Sequence, residues 1–139
     1  MSSPFLPPDY RPSDDEPFMN PVMKEYFRQK LLSWRAELLS ESTETLHSLQ
    51  EGGLQEPDIA DRASAETERS LELRTRDRER KLIAKIDAAL ERLEDDSYGY
   101  CEDTGEPIGV RRLDARPIAT LSLEAQERHE RLERTQRDE

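Results

Sequence analysis

The chain has 139 residues, of which 33% are hydrophobic and 38% charged, and its formal net charge is −11. That length is about one domain, and so little apolar material cannot fill one compact core throughout, so an elongated molecule with a thin apolar seam is expected. The negative balance argues against a general nucleic-acid binder and against an anionic membrane surface, and it favours a basic protein, or a basic channel within one, as partner.

Residues 1–20 are Pro-rich and acidic, with Asp9, Asp14, Asp15 and Glu16, and read as an extended acidic N-terminal arm. It holds no apolar run, so neither a signal peptide nor a membrane helix is expected there, and no stretch approaches the roughly 18 apolar residues of a membrane span. Asn20-Pro21 has the form of a helix cap followed by proline at the first helical position. Beyond it Met23, Phe27, Leu31, Trp34, Leu38, Thr45 and Leu49 recur in helical steps, predicting a helix over 21–49 of about 45 Å. Gly52-Gly53 stops it, and Pro57 ends the loop.

A second helical pattern runs from about Asp58 to Asp95, with Ala60, Ala63, Leu71, Leu82, Ile86, Leu90 and Leu93 as its seam and a polar interruption between Leu73 and Leu82. Two long helices joined by a short loop make an antiparallel hairpin over 21–95, with its tip at about 50–63, and the heptad-like spacing favours a coiled coil. Ser97 to Pro107 is turn-rich, Ile108 to Ala119 suits a small β or irregular element, and Ser122 can cap a last helix to about Arg137. Residues 96–139 thus form a small globular head, and the fold class is mainly α. Tyr98, Tyr100, Ile108, Val110, Leu113, Ile118, Leu121 and Leu123 are its core candidates.

Charge is segregated along the hairpin. Glu41, Glu44, Glu51, Glu56, Asp58 and Asp61 face no Lys or Arg in their window, whereas Arg74, Arg76, Arg78, Arg80, Lys81 and Lys85 outnumber Asp77 and Glu79. The predicted tip is therefore negative and part of the stem positive. Asp58 and Asp61 suit the N-cap and first turn of a helix, and they equally suit two carboxylates presented at the end of an arm. Arg74, Arg78, Lys81 and Lys85 share a helix face, which is either solvated and laced by pairs such as Glu72–Arg76 and Asp77–Lys81 or turned to an anionic partner surface or phosphate.

Cys101 and Thr104, followed by Ser122 and Ala125, have the spacing of a four-ligand zinc site, yet only Cys101 could ligate. One cysteine also permits no internal disulfide. His47 and His129 have no ligand partner at a recognised spacing and read as solvated helix residues. No nucleophile with its base, phosphate-cradling loop or dinucleotide fingerprint occurs, so no catalytic residue is assigned and the chain is not expected to be an enzyme. A cytoplasmic protein is expected.

Residues 58–119 closely resemble the DksA family of RNA polymerase regulators. The resemblance is carried by Asp58-x-x-Asp61-Arg62-Ala63, by Ser70-Leu71-Glu72-Leu73-Arg74-x-Arg76-Asp77-Arg78-Glu79-Arg80-Lys81-Leu82-Ile83, by Tyr98-Gly99-Tyr100-Cys101-Glu102, and by Ile108 through Pro117. It implies a long antiparallel coiled coil on a small globular head that enters the polymerase secondary channel tip first. It implies modulation of promoter complexes, at ribosomal RNA and stringent-response promoters, together with ppGpp and without direct DNA binding. On this resemblance Asp58, Asp61 and Ala63 act near the polymerase active site, Arg74 and Arg78 meet the channel rim, and Lys85 and Arg116 help form a ppGpp site shared with polymerase.

The sequence departs from the family pattern twice. Four cysteines are replaced by Cys101, Thr104, Ser122 and Ala125, so a head that folds without zinc is implied, with no tightly bound cofactor. Gln126 stands where a lysine assisting ppGpp is expected. Two other readings remain: a Gre-like transcript-cleavage factor, which shares the hairpin and acidic tip, and a coiled-coil adaptor that self-associates. The first reading expects a monomer.

Overall fold

A computed structural model describes residues 5–52 and 59–138, with the backbone alone at 45–46, 48–52, 59–61 and 137–138. It contains four helices: α1 (Pro21–Gly52), α2 (Ile59–Glu94), α3 (Val110–Ala115) and α4 (Leu123–Asp138). Among the described residues there is no strand, only an isolated antiparallel bridge between Tyr100 and Pro107. The chain is mainly helical, as expected. It divides into two compact units, one of Met1–Leu31 with Ala88–Glu139 and one of Leu32–Asp87.

In the first unit, the Asn20 side-chain oxygen accepts the N–H groups of Val22 and Met23 at 3.1 and 3.0 Å, so the predicted cap forms and satisfies donors that no helical carbonyl can reach. Met23, Phe27 and Leu31, four apart, have no exposed surface. The Phe27 ring lies 5.5 Å from that of Tyr98, which is itself buried and donates its hydroxyl to the Pro117 carbonyl at 2.7 Å. Asp114 of α3 ties that helix to α1, accepting from Tyr26 at 2.6 Å and from Lys30 at 2.7 Å. The arm packs on α1 through Tyr10, edge-on to Tyr26 at 5.8 Å and hydrogen-bonded to Glu16.

α2 ends in a Schellman turn. The Ser97 N–H reaches back to the Arg92 carbonyl at 2.9 Å, and Asp96 takes the left-handed conformation at φ 65°. Lys24 forms an ion pair with Asp96. At Gly99 φ is 92°, and a Cβ there would stand 3.0 Å from Phe18 Cζ and 3.1 Å from Met19 Cε. The backbone therefore favours glycine, and a side chain there would press on the ends of Phe18 and Met19.

The stretch expected to be β or irregular, 108–119, contains the six-residue α3 instead. Its apolar residues Val110 and Leu113 lie three apart and are buried, which places both on one face of a helical turn. Tyr98, Ile108, Val110 and Leu113 are core residues as predicted, and Ile118 and Leu121 are half-buried. Tyr100 and Leu123 are not core: they are 39% and 58% exposed, and Tyr100 stands edge-on to Phe18. Cys101 and Ala125 are buried in addition to the predicted set.

In the second unit, Arg35 Nε of α1 meets Asp87 Oδ1 of α2 at 2.7 Å, pairing the helices, and Leu38, Glu79 and Ile86 are buried. The α2 seam differs from the predicted one. Ala63 and Leu71 are exposed, and Leu82 and Leu90 are half-buried. The covered face passes through Leu93, Ala89, Ile86, Leu82, Glu79, Thr75 and Glu72, in alternating steps of four and three. The polar interruption therefore continues the seam on its own register, while Leu71 and Leu73 face outward. The side chains of Thr45, Leu49 and Ala60 lie outside those described.

Candidate functional site

Two regions of chemical interest are set on this frame. The first is the head position built from Cys101, Thr104, Ser122 and Ala125. The turn after Tyr100 is closed by Gly105 N–H to the Cys101 carbonyl and Cys101 N–H to the Glu106 carbonyl, both at 2.8 Å. Ser122 precedes α4 and accepts the Ala125 N–H at 3.2 Å on its hydroxyl oxygen, the predicted cap. Thr104 likewise accepts the Glu106 N–H at 3.2 Å.

Burial pushes the Cys101 thiol up, but the polar groups of Ser122 and Thr104, backbone and side chain, favour its thiolate more strongly and bring it down to about 6. Ala125, the fourth position of the zinc spacing, is buried and presents a methyl group. Spacing alone did not reveal this polar setting of the thiol, because sequence gives no measure of which groups lie beside it.

His129, expected to be solvated, is about half exposed but bonds Asp103 at 2.8 Å, linking α4 to the turn that carries Thr104. The contact spans 26 residues, so nothing local announces it. His47 is exposed on α1.

The second region is the outer face of α2. Arg74, Arg78, Lys81 and Lys85 are all exposed in the second unit, and among the described residues none of them makes an ion pair. The Asp77–Lys81 pair of the solvated-face alternative is not formed. Arg116, exposed at the end of α3 in the first unit, lines a groove of about 480 Å³ together with Arg111, Arg112 and Asp14. Arg112 also donates to the Leu121 carbonyl at 2.9 Å, and Gln126 is turned to Glu130 at 3.3 Å. Of the tip residues, Ala63 is exposed on α2, Asp61 lies on the α2 backbone, and Asp58 falls outside the described residues.

These features are two long helices, α1 and α2, and a turn and helix cap at 101–125 with the spacing of a zinc finger. Residues 23–93 match the family model of the DnaK suppressor protein DksA N-terminal domain, and residues 96–131 match that of the prokaryotic dksA/traR C4-type zinc finger. The chain is 67% identical over 131 residues to the RNA polymerase-binding transcription factor DksA of Caulobacter vibrioides, covering 94% of this chain and 92% of that protein. It is 46% identical over 115 residues to the protein of that name from Escherichia coli K12, covering 83% and 76%. The solved structure of transcription factor DksA2 from Pseudomonas aeruginosa superposes with a TM-score of 0.79 at 44% identity, over 84% of this chain and 90% of that one. The chain belongs to the DksA family.

The C4-type match implies zinc, and the residues present do not fit it. A structural zinc site takes about four thiolate or imidazole ligands. Here one thiol is accompanied by two hydroxyls and a methyl group, and each hydroxyl oxygen already accepts a backbone N–H.

Proposed function

We propose that this chain regulates transcription by binding RNA polymerase through its secondary channel, modulating promoter complexes together with ppGpp and making no direct contact with DNA. The observation that carries this reading is similarity along nearly the whole chain to relatives named for polymerase binding. In it, Asp58, Asp61 and Ala63 form the tip that acts near the polymerase active site. Arg74 and Arg78 face acidic groups at the channel rim, and their exposure without ion-pair partners among the described residues suits that role. Lys85 and Arg116 each supply a cation to ppGpp, whose phosphates favour guanidinium and ammonium donors. The protein works in the cytoplasm as a monomer, holds its head without zinc, and performs no chemistry of its own.

The test is in vitro transcription from a ribosomal RNA promoter with and without ppGpp. Asp61→Asn keeps a side-chain oxygen for the helix start and removes the charge. It is expected to fold and bind polymerase almost normally while losing most promoter inhibition. Full inhibition by this variant refutes the assigned role of the carboxylate. Cleavage of RNA in stalled complexes would instead select the Gre-like reading.

A further inference from the structure

The groove lined by Arg116 contains a charge of the wrong sign for its proposed ligand. Arg111, Arg112 and Arg116 line it, and Asp14 of the N-terminal arm lines it with them. Arg112 is engaged by its bond to the Leu121 carbonyl, whereas Arg111 and Arg116 are exposed and form no ion pair among the described residues. Three guanidinium groups around one opening suit a phosphate-bearing anion, and a carboxylate in the same wall opposes it.

Asp14 is held there by the arm rather than by the arginines. It forms no ion pair itself among the described residues, and it sits inside a turn in which the Glu16 N–H reaches the Ser13 carbonyl at 3.4 Å. The Glu16 carboxylate fastens that turn: it accepts the Ser13 N–H at 2.9 Å, the Tyr10 hydroxyl at 2.7 Å and Asn20 Nδ2 at 3.3 Å. Tyr10 stands edge-on to Tyr26 of α1, and Asn20 caps that helix, so the turn is tied to α1 from both sides. A charge in the wall of a groove of about 480 Å³ lies within the roughly 8–10 Å over which salt screens at ordinary ionic strength, so an entering anion meets it.

We propose that the arm is a built-in antagonist of the groove: Asp14 weakens the hold of Arg111, Arg112 and Arg116 on the phosphates of ppGpp and so raises the ppGpp concentration to which the protein responds. The proposal rests on the reading of Arg116 as a ppGpp residue and adds the regulation of that site. Asp9, exposed on the same arm and outside the groove lining, is the charge-matched control.

The test is a ppGpp titration of the full chain with polymerase in transcription from a ribosomal RNA promoter, reading the concentration that gives half of each variant's own maximal effect. Asp14→Asn is expected to lower that concentration at least threefold at low salt, and the gain is expected to shrink as salt rises and screens the parent's carboxylate. Asparagine is at home in a turn, so the substitution removes the charge and leaves the arm in place. Asp9→Asn is expected to titrate like the parent, and Arg116→Ala to lose the response. Should Arg116→Ala respond like the parent, or should neither the parent nor Asp14→Asn respond at all, the reading of the site falls and the proposal with it. Loss of the response in Arg116→Ala together with a parent-like titration of Asp14→Asn overturns the proposal alone, as does an equal gain in Asp9→Asn.

Discussion

Polar groups of Thr104 and Ser122 favour the thiolate of Cys101, which makes the charge of that atom part of the fold. Its folded value of about 6 lies below the ordinary 9.0, so folding expels a proton at any pH between the two. Stability from this group is therefore fully present above the unfolded value and is lost as pH falls towards and through 6. The advantage in Tm of the parent over Cys101→Ser is expected to widen from pH 6 to pH 9 and to stay flat below pH 6. A difference that is constant with pH refutes the thiolate. The cysteine, which looks dispensable once its three partners are seen not to be thiols, is thus structural in its own right. Gly99 is constrained differently. Gly99→Ala would hold a side chain at φ 92° against Phe18 and Met19. It is expected to cost about 1–3 kcal/mol, read as a lower urea midpoint with unchanged slope.

The elements differ in how far the sequence discloses them. Asn20-Pro21 announces the start of α1 because capping is a local matter of two or three residues, and the structure shows those bonds. Gly52 and Ser122 mark the other boundaries for similar reasons. The seam of α2 is disclosed only in its second half. Counting apolar residues favours Leu71, but the register set by Ile86, Ala89 and Leu93 carries the covered face through Thr75 and Glu79. α3 escapes because six residues are too few to display a period. Ser122 serves two ends at once, as cap of α4 and as one of the polar groups that favour the Cys101 thiolate. Ser122→Ala is expected to cost about 1–2 kcal/mol as a lost cap. It should also raise the thiol titration, seen as a higher midpoint of thiolate absorbance in the folded protein. A loss of stability with unmoved titration would leave only the capping role.

At the scale of the whole molecule, family membership is legible because long ordered strings survive, from Asp58 through Pro117. The division into compact units is not, since it cuts both long helices at Leu31 and Ala88 where neither composition nor charge changes. The head, lacking a ligand set, is expected to fold at any zinc concentration. Addition of a strong chelator should leave Tm unchanged, and elemental analysis should find no stoichiometric zinc after purification. One tightly held zinc per chain, with unfolding on its removal, would overturn the reading of Thr104 and Ser122 as polar neighbours of a thiolate rather than bystanders to metal.

The same sulfur supplies a native reporter. A thiolate absorbs in the near-deep ultraviolet where a thiol does not, and the chain has one cysteine. Loss of these polar neighbours on unfolding returns that atom to the thiol at neutral pH. Assembly of the head can therefore be followed optically in the unlabelled protein, and the rate at which a small alkylating reagent reaches the 3% exposed sulfur clocks its opening.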